Sequence, residues 1–332
     1  MSQQQPPPDA IIWALSTAGF AARCLHVVAD LGVADRIGDQ PVTISELASS
    51  CGADPDALDR VLRLLAAHGI FEGQHGSYSH TPSSRLLRSD DPMTMRPFAQ
   101  MMGLPLLWGS LTEFKHSVQT GKPAAEILEP KGAWAYLHDR PGEAEIFGRA
   151  MTAKASVDVG AVIAAYDFTC FGRIADIGGG RGHLLRAILE AAPGAEGVLF
   201  DLPMVIDTLN TGDQPRLTVQ AGDFFVDTLP SAESYILMEV LHDWADEQCV
   251  AILKAIRRAA PDSATVLVVE DLLPEERADP GASTLDIIML TVTGGRERTV
   301  DQLSNLFDAA GFGLVRVTET RSSIRILEAK PA

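Results

Sequence analysis

The segment IADIGGGRGHLLRAIL, residues 174–189, carries an acidic residue, Asp176, then a glycine cluster, then apolar residues at helical spacing. Acidic residues recur at the ends of the next two β-rich runs: Asp201 in GVLFDL, and Asp223, followed by Phe224, in LTVQAGDFF. A glycine turn between strand and helix is a common seat for phosphates and nucleosides, so the side chains around it decide the ligand. A P-loop needs Lys-Ser or Lys-Thr after its last glycine, and neither follows Gly182. A dinucleotide fingerprint fits Gly178 and Gly180, but His183 stands where its third glycine belongs and Gly182 comes one place early. A plain tight turn is the remaining alternative. Against it, Asp201 lies 23 residues beyond Gly178, where an acid takes ribose hydroxyls. Asp223 and Phe224 could hold the amino group and the ring of an adenine. Carboxylates at successive strand ends repel a pyrophosphate. They suit a nucleoside whose other end carries a sulfonium and an amino group.

The segment LHDWADEQC puts His242 at the end of the fourth β-rich run, at the same sheet edge as Asp176 and Asp201. An imidazole of ordinary pKa, about 6.5, is suited to taking a proton from a phenol-like hydroxyl. The oxyanion so formed would attack a sulfonium methyl in line, with the protein contributing chiefly proximity and orientation. Glu270, ending the run VVE, and Glu297, in GGRERT, are candidates for a carboxylate that fixes the imidazole tautomer. Each also reads as a capping or ion-paired residue, Glu297 especially, between Arg296 and Arg298. No His/Asp/Glu cluster has metal-ligand spacing, so no metal is expected.

Two kinds of patterning must position these groups. Residues 10–165 read as mostly helical, with a glycine break at Gly32, a capping signal at Thr43 or Ser45, and a loop at 52–55. A second amphipathic helix ends at Gly69 and a short hairpin turns near Gly76, which is the order of a winged helix. DNA binding is disfavoured, because the second helix offers only Arg60 and Arg63 against Asp54, Asp56 and Asp59. From residue 172 short β-rich runs alternate with helical stretches, the signature of a parallel, doubly wound sheet. A helix closed by Gly311 and two final strands read as an edge hairpin completing it.

The chain's 332 residues suggest about two domains. A formal net charge of −17, with no segregated basic cluster, opposes nucleic acid and anionic membranes as partners. No apolar run is expected to span a bilayer, and MSQQQPPPDA lacks the regions of a signal peptide. Cys24, Cys51, Cys170 and Cys249 are scattered without a CxxC pair, which suits a reducing cytoplasm.

The motifs DIGGGRG, LFDLP, AGDFF, VLHDWADEQC, VVEDLLP, DIIMLTVTGGRERT and DAAGF occur in the order and spacing of O-methyltransferases that use S-adenosylmethionine. The subgroup resembled includes acetylserotonin and plant caffeate-type enzymes and bacterial natural-product methyltransferases. The resemblance covers nearly the whole chain, because VVADLGVADRI and ALDRVLRLLAAHGIFE match its N-terminal dimerisation domain. It implies an α/β fold with a Rossmann-like doubly wound sheet of methyltransferase type, behind a mostly helical, winged-helix-like dimerisation domain. The expected divisions are a tail over 1–9, the dimerisation domain over 10–100, a helical linker contributing to the substrate pocket over 101–165, and the catalytic domain over 166–332.

The resemblance places S-adenosylmethionine against Asp176, Gly178, Gly180, Asp201, Leu202, Gly222, Asp223, Phe224 and Met238. It implies His242 as general base with Glu270 and Glu297 flanking it. Met151 matches a substrate-contacting Met, and Phe147, Trp108, Met101, Asp243 and Met289 are pocket walls by position. Asp243 and Trp244 could instead cap the following helix and cover the cofactor. One departure stands out: many members carry Lys or Arg three or four residues before the His, where this chain has Met238 and Glu239. Some relatives of this fold hydroxylate or decarboxylate while retaining the cofactor; the presence of His242 favours methyl transfer. The expected protein is a cytoplasmic homodimer acting on a small, aromatic natural product. A winged-helix regulator that senses a nucleoside is the alternative outside enzymes, opposed by the chain's acidity and by His242.

Overall fold

The computed structural model describes residues 7–209, 214–274 and 279–332, with Val157 described by its backbone alone. Of the expected N-terminal tail, residues 1–6 lie outside the described residues, and Pro8 already opens a helix, Pro8–Leu31. The chain forms two compact units. One takes the chain through Trp108 and then Gly142–Ala153; the other takes Gly109–Pro141 and Lys154–Ala332. The segment 101–165, expected as a linker, is apportioned to both, and its long helix Pro141–Ala165 is divided at Ala153.

In the first unit, Pro8–Leu31 ends at Gly32, and Ile44–Cys51 begins at a capping box in which Thr43 and Glu46 satisfy each other's backbone N–H groups. The helix Pro55–Ala67 follows, capped by Asp54. Strands β1 (Val42–Thr43), β2 (Phe71–Gln74) and β3 (Ser77–His80) form an antiparallel sheet in the order β1-β3-β2. The hairpin turns at His75 and Gly76, both at positive φ as a tight two-residue turn of primed type requires. Val28, Val33, Ile37, Leu47, Leu62, Leu65, Phe71 and Tyr78 are its buried core. This is the winged-helix order expected.

One expectation is corrected. Pro8–Leu31 is long and apolar enough, by length and composition, to cross a membrane. The run is broken by Arg23, His26 and Asp30, but Ala, Gly, Ser and Thr between the large apolar residues keep the average over a longer stretch high. Little of it is buried, and Ile12, Trp13, Leu15 and Phe20 are each at least 67% exposed.

The second unit is built on a seven-stranded sheet ordered β6-β5-β4-β7-β8-β10-β9. Its strands are β4 (Arg173–Ile177), β5 (Glu196–Asp201), β6 (Leu217–Ala221), β7 (Ser234–Met238), β8 (Thr265–Asp271), β9 (Phe312–Glu319) and β10 (Ile324–Pro331). β4 to β8 run parallel, and β10 lies antiparallel between β8 and β9. Alternate residues face opposite sides, so each central strand feeds two cores. Ala175, Tyr235, Leu237, Val266 and Val268 pack beneath Asp246–Ala259 and Val300–Ala310, whereas Ile174, Ile236, Leu267 and Val269 pack beneath His183–Ala191. Burial on both faces explains why these strands read as unbroken apolar runs. Strand order reverses at β4, which puts the crevice for a ligand at the turn following it. Leu267 is fully buried at the centre of one core. Leu267→Ala is expected to destabilise the second unit by about 2–5 kcal/mol, read as a lowered urea midpoint at unchanged slope.

Candidate functional site

The turn after β4 is shaped by its glycines. Gly178, Gly180 and Gly182 have φ of 70°, 59° and 73°, a left-handed conformation closed to most side chains. A Cβ on Gly179 would fall 2.5 Å from the Asp176 carboxylate, and one on Gly182 would crowd Leu199, so these two glycines serve packing. A Cβ on Gly180 would meet nothing within 4 Å among the described residues, and this is the part of the turn open to a ligand. The Gly180 N–H donates to Asp201 Oδ2 and the Leu202 N–H to Asp201 Oδ1, both at 2.7 Å. Each oxygen keeps a lone pair for a further donor. Burial raises the Asp201 carboxyl, and the two backbone donors oppose that rise.

Asp176 is 1% exposed, and neither of its carboxylate oxygens makes a well-formed hydrogen bond among the described residues. Burial, reinforced by the charge of Asp201, outweighs the Leu185 backbone N–H that faces the carboxyl and pushes its pKa up to about 7. An unpartnered buried carboxylate is costly, and its placement under a bare glycine turn fits a ligand bearing hydrogen-bond donors and positive charge. Gly222 donates to the Asp201 carbonyl at 3.0 Å and lies against the Phe200 ring. Asp223 accepts the Phe225 N–H at 2.8 Å through one oxygen. Phe224 and Phe225 meet Trp244 edge-on at 5.8 and 4.8 Å, and Trp134 stacks on Trp244 at 6.4 Å.

His242 lies four residues past β7 in a short 3₁₀ turn, Leu241–Asp243, beyond the strand end where the sequence placed it. It is 5% exposed. Its Nδ1 is 2.8 Å from Glu297 Oε1, and its backbone N–H donates to Glu270 Oε1 at 3.1 Å. Asp243 Oδ1 stands 4.0 Å from Nε2, outside hydrogen-bond reach. Burial alone would lower the His242 pKa. The Glu297 hydrogen bond, with the charges of Asp243 and Glu270, outweighs it and pushes the imidazole up to about 10. Burial raises Glu270 to about 7 and Asp243 to about 6, with His242 countering both.

The segment GGRER, residues 294–298, is pressed onto this turn. A Cβ on Gly295 would fall 1.9 Å from the His242 carbonyl oxygen, so only glycine fits. The Arg296 N–H donates to that same carbonyl at 2.8 Å. Arg298, 1% exposed, donates to the carbonyls of Leu241 and Trp244 and to Asp246 Oδ1. The arginine beside Glu297 therefore braces the 241–246 loop, leaving Glu297 to His242.

The structure thus brings together His242, Glu270, Glu297 and Asp243, and separately Asp176, Gly180, Asp201 and Leu202. Asp243 is not a helix cap: Ala245 precedes the helix Asp246–Ala259. Met238 packs against the core containing Ile236 and Leu267. Met289 is 8% exposed on the helix Pro280–Val292 that leads into the segment 294–298. Met151 and Phe147 belong to the first unit, in a cluster with Met101. Trp108, in that unit, packs on His26 and Arg23. Sequence reasoning missed Lys154, Trp134, Phe225 and the bracing role of Arg298. Only Lys154 left a signal, a lone cation in the otherwise uncharged stretch MTAKASV. It is ion-paired with Glu239, one of the two departures from the resemblance.

An O-methyltransferase domain model matches residues 112–313, and an O-methyltransferase dimerisation domain model matches 13–90. A phenazine O-methyltransferase of Lysobacter antibioticus is 39% identical over 98% of this chain and 97% of its own. The crystal structure of an O-methyltransferase from neocarzinostatin biosynthesis, in complex with S-adenosylmethionine and 2-hydroxy-5-methyl naphthoic acid, is 33% identical with a TM-score of 0.82. It covers 94% of this chain and 96% of its own. Human N-acetylserotonin methyltransferase shares the fold at a TM-score of 0.91 and 24% identity, over all of both chains.

The His242 environment makes a pH prediction. An imidazole whose folded pKa is raised above the unfolded value of about 6.5 adds stability that is complete below that value and is lost as pH climbs through the folded one. Without added cofactor, the stability difference between wild type and His242→Gln should shrink as pH rises from about 6.5 to about 10. Urea midpoints across that range measure it.

Proposed function

The chain belongs to the O-methyltransferase family and is an S-adenosylmethionine-dependent O-methyltransferase, and from that premise we propose that it methylates a hydroxyl of a small aromatic natural product with His242 as general base. The observation that carries this reading is the buried imidazole whose Nδ1 is held by Glu297 while Nε2 has no hydrogen-bond partner among the described residues. With Glu297 accepting from Nδ1–H, the neutral imidazole presents its lone pair at Nε2, where an acceptor hydroxyl gives up its proton. S-adenosylmethionine, when bound, supplies an electrophilic methyl group on a positively charged sulfonium. His242 starts as the base only when neutral, and a neighbouring positive charge lowers its pKa toward that state. Glu270, through the His242 backbone N–H, holds the turn in place.

For the cofactor, the open Gly180, the lone pairs of Asp201 and the unpartnered Asp176 support a nucleoside laid across the turn, with Asp223 and Phe224 at its base. The aromatic acceptor is supported by the relatives' phenazine and naphthoic acid chemistry. Pairing of two copies is supported by the dimerisation domain and by the exposed apolar residues of Pro8–Leu31, which lie largely within it. The four cysteines are all free, which is consistent with a cytoplasmic home.

His242→Ala is expected to lower kcat by about 10²–10⁴ while leaving S-adenosylmethionine affinity within about twofold. Glu297→Gln should cost about 10–100-fold in kcat. Undiminished turnover by His242→Ala on the true acceptor would sink the base assignment.

A further inference from the structure

One charged pair beside the base is not used by this reading. Glu239 follows β7 at φ 53°, a left-handed backbone that non-glycine residues seldom adopt. Among the described residues only His75, in the hairpin turn, shares that feature. The Glu239 N–H donates to the Val269 carbonyl at 2.9 Å, so the sheet holds the unusual conformation. Its carboxylate is ion-paired with Lys154 on Pro141–Ala165, the two side chains being 13% and 22% exposed. The next residue, Val240, lies 3.0 Å from where a Cβ on Gly178 would sit. The residue after Glu239 thus borders the glycine turn, and Glu239 itself lies in the field of His242, three residues further on, and of His183, which opens the helix after that turn.

Such placement of a strained, paired carboxylate is characteristic of functional sites. Burial would neutralise Glu239, but Lys154 outweighs it and holds the carboxyl below its usual range, where Asp243 and Glu270 are raised. An ionised carboxylate one residue from the side chain that borders the turn, and within the field of His242, is placed to act on a positive charge held beside both.

We propose that the Glu239–Lys154 pair sets the discrimination between the cationic cofactor and its neutral product, with Glu239 the counter-ion of the sulfonium and Lys154 the positioning residue that orients and tempers it. This rests on the reading that the cofactor spans the glycine turn with its methyl toward His242. A carboxylate favours a sulfonium over a thioether by charge alone, and methyl transfer removes that charge. The product is then held without the attraction, which aids its release. Lys154 also lies in the field of Asp271 and Glu297, so its removal makes the site more negative.

Calorimetric titration of the full chain with S-adenosylmethionine and with S-adenosylhomocysteine tests this. Glu239→Gln should weaken the first by about tenfold or more and change the second by less than about twofold. Lys154→Met should move the ratio the opposite way, toward S-adenosylmethionine. The charge-reversed pair K154E/E239K should regain stability but not the wild-type preference. Equal losses for both ligands, or restoration of the preference by charge reversal, would overturn the proposal, the first pointing to a group common to both ligands or to a bracing role. Titration involves no turnover, so the result is independent of His242. Wild type binding neither ligand would instead overturn the underlying reading of the glycine turn.

Discussion

The close approach of residues 294–298 to the His242 turn is the constraint on which the site depends. It works at every level of the chain: a missing side chain at Gly295, a backbone donor at Arg296, a carboxylate at Glu297 and a guanidinium at Arg298. The segment is itself tied to the sheet, where Arg298 bridges to Leu272 just past β8 and the Leu273 N–H donates to its carbonyl at 3.0 Å. His242 is therefore anchored through this segment to β8, although it sits in a loop. A Glu297 carboxylate could not be aimed this well from a mobile segment, and an orienting group is useful only when it is itself oriented.

Charge organises the remainder. Carboxylates crowd the sheet edge, and few cations answer them: Arg298 is spent on carbonyls and Asp246, and Lys154 on Glu239. Burial pushes Asp176, Asp243 and Glu270 toward the neutral state, which spares the fold much of the repulsion that full ionisation would bring. A site arranged in this way is receptive to incoming positive charge, which draws Asp176, Asp243 and Glu270 toward ionisation and His242 toward its neutral form.

Much of this was legible in the sequence, because parallel strands announce themselves as short apolar runs and end in the residues that matter. Asp176, Asp201 and Glu270 lie at strand ends, as expected, and the winged-helix order followed from caps and glycine breaks. What the sequence hid was pairing at a distance. Nothing local distinguishes Arg298 as a brace from Arg296, or tells that Lys154 answers Glu239. Glu297 could be read as the partner of either neighbouring arginine until the fold carried it to the imidazole. Gly295 looked like half of an ordinary glycine pair; its necessity lies in a carbonyl contributed by another part of the chain. The membrane-length helix Pro8–Leu31 carries no continuous apolar run of that length; small residues between the large apolar ones keep its average apolar.

The order of the last strands has a consequence for how the molecule is made. β9 precedes β10 in the chain, yet β10 lies between β9 and β8. During synthesis, β8 therefore presents an unpaired, strongly apolar edge until residues 324–329 emerge, and β9 cannot cover it directly. Folding of the parallel half can begin early, but closure waits on a strand that must enter between two others. Glu270 sits on that open edge, opposite Arg325 in the finished register. The carboxylate that accepts the His242 backbone N–H is thus among the groups whose surroundings are completed only when the last strand is in place.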